Sequence, residues 1–221
     1  MQPSRLLLAL AVAALALAGC LDPYRPSVDE AALAHSGLPW NRSDYSEQSG
    51  GWNGPNSVET DYQTPGANNG PYPAILQLFG VREASQRTPA QLLALARAAV
   101  DNGTALNHIR LDDGEVTGTR TLKNGLATQW FSLEGTATAP GLFTSQSHVR
   151  ILGEAGYDGT SSTNVVAVAM AQVDATTCPL GLSCQTHTDA RSWIAIVGDP
   201  QGSVGGAVTQ NGLAYNLVSH G

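Results

Sequence analysis

Hydrophobic positions along this chain fall into three regimes. From Leu6 to Leu17 they run without interruption in Leu, Ala and Val. From Leu21 to about residue 70 no apolar period persists. Beyond Pro71 the pattern becomes structured. Thr88-Pro89-Ala90-Gln91 supplies a capping residue, a proline at the first helical position and a glutamine three after the cap. Leu92, Leu93, Leu95, Ala96, Ala99 and Val100 then follow at helical spacing, and Asn102-Gly103 supplies a stop. This spacing predicts an amphipathic helix that must lay its leucine stripe on a sheet.

After that helix the pattern turns to strands. Leu106–Leu111 and Val116–Leu122 are predicted strands, and Asn124-Gly125 is a strong hairpin signal leading into Leu126–Leu133. Trp130 and Phe131, being adjacent, must face opposite sides of the sheet. Val149–Leu152 predicts a short strand and Gly153–Thr163 a glycine-rich loop. Val165–Val173 is almost wholly apolar and predicts a central strand covered on both faces. Trp193–Val197 and Leu213–Val218 complete the set, with Asp199-Pro200-Gln201-Gly202 as a turn between them. Short connections imply antiparallel pairing. The expected fold is α+β to mainly β: an antiparallel sheet of about six or seven strands, sandwich or partly closed barrel, with one N-terminal amphipathic helix packed on it.

The first regime has a specific ending. Arg5 precedes the apolar run, and Leu17-Ala18-Gly19-Cys20 closes it. This segment resembles the lipobox signal peptide of prokaryotic lipoproteins. The run is too short for a permanent transmembrane helix and has no stop-transfer cluster after it. The resemblance implies cleavage before Cys20 and a diacylglycerol thioether on its sulfur. Two acyl chains give stable anchoring, so the partner implied is a lipid bilayer, at the cell membrane or outer membrane, facing away from the cytoplasm. Leu21 stands where an aspartate in that family often signals inner-membrane retention.

Residues 20–70 then read as an acidic tether rich in Pro and Gly, with Asp22, Asp29, Glu30, Asp44, Glu47, Glu59 and Asp61 against Arg25 and Arg42. Asp29–His35 has room for one or two helical turns. Tyr24, Trp40, Tyr45, Trp52, Tyr62 and Tyr72 punctuate it, either as a strap on the folded domain or as platforms for envelope sugars. The organisation expected is a signal peptide over 1–19, this tether over 20–70, and a single β-rich domain over 71–221.

Charge narrows the partners. The chain has 11 basic and 18 acidic residues, and losing Arg5 with the signal peptide makes the mature balance more acidic still. That argues against a nucleic-acid binder and against adsorption to anionic lipid by charge. Of the three cysteines, Cys178 and Cys184 remain once Cys20 is lipidated. In an exported chain they are most simply a disulfide, since their spacing does not match the usual metal or redox pairs.

Candidate chemistry is sparse. No nucleophile elbow, phosphate loop, dinucleotide fingerprint, zinc-protease motif or calcium loop occurs, and nothing in the sequence calls for a cofactor. Lys123, at a hairpin tip, is a poor desolvated base. His187 with Asp189 two residues on, joined by His148 and the loop acid Glu154, are the candidates for acid–base or metal chemistry. Glu134 and Asp158 are further loop acids. His108, beside Arg110, and His220 offer no constellation. The leading expectation is a non-catalytic lipoprotein that binds an envelope protein, an envelope component or a small molecule. The alternatives are an extracytoplasmic hydrolase using a His/carboxylate pair and a small metal-binding module.

Overall fold

A computed structural model describes residues 25–45, 57–64, 74–83, 85–102, 109–111, 114–139, 144–178, 185–188, 191–198 and 212–220. The chain begins with β1 (Arg25–Val28), α1 (Glu30–His35), β2 (Asn41–Tyr45), β3 (Ser57–Gln63) and β4 (Ile75–Arg82). Helix α2 (Pro89–Asn102) follows, then β5 (Ile109–Leu111), β6 (Val116–Thr121) and β7 (Ala127–Ala139). The last elements are β8 (Thr144–Asp158), β9 (Thr163–Cys178), β10 (Gln185–Thr188), α3 (Arg191–Val197) and β11 (Leu217–His220).

Most of this is one antiparallel sheet of nine strands in the order β2-β3-β4-β9-β8-β7-β5. Strand β10 lies beside β9 beyond the end of β4, and β6 lies beside β7 next to β5. Strands β8 and β9 form its spine, 15 and 16 residues long. The sheet is open rather than partly closed, and in place of a sandwich the second sheet has just two strands, β1 and β11. The covering helix is not N-terminal to the sheet: four strands precede it.

Both faces of the spine are covered, as the unbroken apolar run of β9 requires. On one face α2 buries Leu92, Leu95, Ala96, Ala99 and Val100 against Phe79, Phe131, Val149, Ile151, Val166 and Met170. Its cap is the expected box: the Thr88 amide donates to Gln91 Oε1 at 2.8 Å, and the Gln91 amide reaches back to Thr88 Oγ1 at 3.4 Å. The cap contributes about 1 kcal/mol. Each buried leucine contributes about 1.5–3 kcal/mol, so packing holds the helix and the cap sets where it starts. On the other face Val28, Tyr62, Leu76, Leu78, Trp130, Leu152, Trp193, Ile196 and Leu217 form a second core beneath β1, β11 and α3.

Four expectations are corrected. Residues 25–45 and 57–64 are not tether: they supply β1, α1, β2 and β3. Val58, Thr60 and Tyr62 alternate into the core, and Tyr62 is fully buried. The density of Pro and Gly hid a short period-two pattern. Gly153 is not in a loop, because β8 continues to Asp158. Trp193–Val197 is helix rather than strand, burying Trp193, Ile196 and Val197 at i, i+3 and i+4 spacing. Leu213–Asn216 is a turn, and only Leu217 onward is extended.

The hairpin forms with a three-residue loop. Leu122 and Leu126 pair across Lys123-Asn124-Gly125, and Gly125 takes φ 87°. A different glycine matters for packing. Phe131 lies opposite Gly153, and a Cβ there would stand 2.3 Å from the Phe131 ring and 3.0 Å from Val100. Overpacking of this kind costs about 1–3 kcal/mol. Gly153→Ala should therefore lower the melting temperature by several degrees, at about 2–4 °C per kcal/mol for a domain of this size. Thermal melts of the two proteins check it; equal midpoints would show that ring and helix retreat freely.

Candidate functional site

The hairpin places Arg120 on β6 opposite Thr128 on β7, and Trp130 on β7 opposite Glu154 on β8. Gly118, opposite Trp130, has no side chain, and the indole lies where one would be. Beside it Arg120 and Glu154 meet as a bidentate pair, with Arg120 Nε donating to Glu154 Oε1 at 2.8 Å. Their side chains are 7 % and 2 % exposed. The Thr128 hydroxyl donates to the same carboxylate at 2.6 Å. Arg120 Nη1 donates to the carbonyl of Val197, the last residue of α3, at 2.8 Å.

That last bond completes a cap. A helix leaves its final carbonyls without partners. Here the Leu213 amide donates to Ala195 O at 2.7 Å, the Ala214 amide to Ile196 O at 2.6 Å, and Arg120 to Val197 O. Gly198 follows at φ 76°. Glu154 is thus an anchor with its charge consumed, shut away from solvent. It is neither a loop acid nor a group that can reach a substrate.

Further along the same face the sheet becomes polar. Glu134 on β7 faces Arg150 on β8 in register. Arg150 Nε donates to Glu134 Oε1 at 2.8 Å, and His148 Nε2 lies 3.1 Å from Glu134 Oε2. His148 is 34 % and Glu134 40 % exposed. A β-bulge follows His148: Val149 pairs with Gln172 while His148 pairs with Asp174, leaving Val173 as the extra residue. The row through His148 continues across Asp174 to Thr188 on β10, and the neighbouring row joins Ser147, Ala175 and His187. His148 and His187 are therefore two strands apart, about 10 Å. Glu154 lies six residues beyond His148 on β8, about 20 Å away. The sheet separates these candidates instead of gathering them. The constellation that forms is half-buried: Glu134, a carboxylate shared by the imidazole of His148 and the guanidinium of Arg150, suited to polar or ionic recognition.

Comparison with protein-family models, with curated proteins and with solved structures gives no match. Function must be argued from these residues alone.

The remaining candidates fall elsewhere. Cys20, Cys184, Asp189 and His108 lie outside the described residues, as does the proposed signal peptide. Cys178 ends β9, and its pairing with Cys184 falls outside the described residues too. Asp158 receives the Thr160 amide at 2.9 Å, a turn acid as expected. Lys123 sits at the hairpin tip, 3.3 Å from Asp29, whose carboxylate also caps α1. Among the described residues no three of His, Cys, Asp and Glu are grouped to hold a metal.

The buried Arg120–Glu154 pair was not legible as such, though one signal existed. Residues equidistant from a hairpin turn pair, which puts Arg120 opposite Thr128. A second polar cluster lies on β3 and β4, where Gln77 Nε2 donates to Glu59 at 3.1 Å and to Asp61 at 3.4 Å. Burial pushes the Asp61 carboxyl above its ordinary range, partly offset by bonds from Gln77 and Glu59.

Two predictions follow from these charges. Removing one partner of a buried pair costs about 3–5 kcal/mol, while replacing both with apolar groups is often near neutral. Glu154→Leu should destabilise by about that amount, and Arg120→Met with Glu154→Leu should recover part of it, the remainder being the Val197 carbonyl left without its donor. Denaturant unfolding of both variants checks this, and additive losses would contradict it. For Asp61, a folded-state value above the unfolded one means that ionisation disfavours the fold. The stability it holds below the unfolded carboxyl range is lost as pH rises through the folded value. Asp61→Asn should thus melt higher than the parent at pH 7, with the gap closing toward pH 3.5. A gap independent of pH would contradict the assignment.

Proposed function

We propose that the chain is a lipoprotein held outside the cytoplasm by diacylglycerol on Cys20, its β-rich domain acting as a non-catalytic binding or envelope-interaction module. The observation that carries the location is the run from Leu6 to Leu17 ending in Leu-Ala-Gly-Cys. The arrangement of the domain supports binding over chemistry. Glu154 is spent on a buried arginine, and His148 is about 20 Å from it along one strand. Among the described residues, Glu134 is shared by His148 and Arg150, a paired network suited to holding polar groups. Val116 is the one exposed large apolar side chain among the described residues, so recognition by the described surface is polar.

A second reading, an extracytoplasmic hydrolase, draws on one contact: the 3.1 Å approach of His148 to Glu134, which can orient an imidazole as a base. Binding is preferred because Arg150 claims the same carboxylate at 2.7 Å.

Membrane fractionation tests the location. Wild type should sediment with membranes, and Cys20→Ser should move to the soluble fraction with loss of the lipid mass. Retention of Cys20→Ser in the pellet would contradict the anchor.

A further inference from the structure

We propose that the anchored domain lies directly on the bilayer, with the corner formed by Arg25 and His220 nearest the lipid, instead of standing away on a stalk. The inference rests on the reading that Cys20 carries the acyl chains. Its other support is how early in the chain the described fold begins. A tether over residues 20–70 would have a contour of about 165 Å. The fold takes nearly all of that length away. Arg25 is already in β1 and pairs with His220 of β11. Three residues on, Val28 is 4 % exposed and its amide donates to the hydroxyl of the buried Tyr62 at 3.2 Å. The Asp29 amide then bonds Asn216 O at 3.2 Å.

Five peptide steps therefore join Cys20 to Arg25, about 18 Å at full extension. A domain of this size is about 40 Å across. The leash is under half the width of the body it holds, so this corner stays within about 18 Å of the headgroups. Lengthening it would require peeling β1 from β11 and exposing Val28. The mature chain is acidic overall and an anionic leaflet repels it, so the acyl chains rather than charge hold this corner down. A partner must then be met within about 60 Å of the membrane, the leash and domain width together. That suits a lateral membrane neighbour or an envelope layer close to the lipid.

Neutron reflectometry on a supported phosphatidylethanolamine/phosphatidylglycerol bilayer tests this, using the full lipidated chain purified from membranes. The protein layer should begin within about 18 Å of the headgroups. A variant with twenty Gly/Ser residues inserted between Asp22 and Pro23 should open a hydrated gap larger by about 25 Å. A wild-type layer standing 30 Å or more from the headgroups while still anchored would overturn the inference alone. Protein that does not remain on the bilayer, with Cys20 unmodified by mass, would overturn the lipoprotein reading and this inference with it.

Discussion

The end of α3 is buried, and a buried helix end must find donors for its last carbonyls. Everything at the second face follows from how that is done. Arg120 reaches from β6 to Val197 O, while the amides of Leu213 and Ala214 take Ala195 O and Ile196 O. A guanidinium at 7 % exposure is untenable alone, and Glu154 with Thr128 makes it tenable. The pair thus joins β6, β7 and β8 to α3. Through the turn at Leu213–Asn216 it positions β11, and β11 positions β1. The first described strand is thus tied to the hairpin through β11, and directly to β3 through the Val28 amide and the Tyr62 hydroxyl.

The same logic confines where function can be. The spine of β8 and β9 is closed over by α2 on one side and by α3, β1 and β11 on the other. Close approach of α2 depends on Gly153, whose missing side chain leaves room for Phe131. Beyond the second core the same face becomes polar and partly accessible, where Glu134, His148 and Arg150 form their network. A surface made of two bases on one acid can recognise charge and hydrogen-bonding groups.

Local signals were legible and distant pairings were not. The box at Thr88–Gln91, the hairpin at Asn124-Gly125 and the apolar run of β9 each depend on neighbours in sequence, and each could be read directly. Strand β1 depends on β11, far along the chain, whereas β3 pairs with the next strand, β4. Their short alternation is diluted by Pro and Gly, so a structural segment looked like a spacer. Trp193–Val197 carries β-branched residues that favour extended structure locally, yet the burial available under the sheet suits i, i+3 and i+4 spacing. Glu154 between glycines resembled a turn acid. Only the register of β6, β7 and β8 shows that it faces an arginine.

The Arg120–Glu154 pair joins α3 and the turn at Leu213–Asn216 to the sheet as one cooperative body. Native-state hydrogen exchange measures that directly. The amides of Leu213 and Ala214, bonded to α3, should exchange with the same free energy as those of Ile151 and Ala167 in the spine, through global unfolding only. Exchange at Leu213 and Ala214 by a separate, much cheaper opening while the spine stays protected would contradict it.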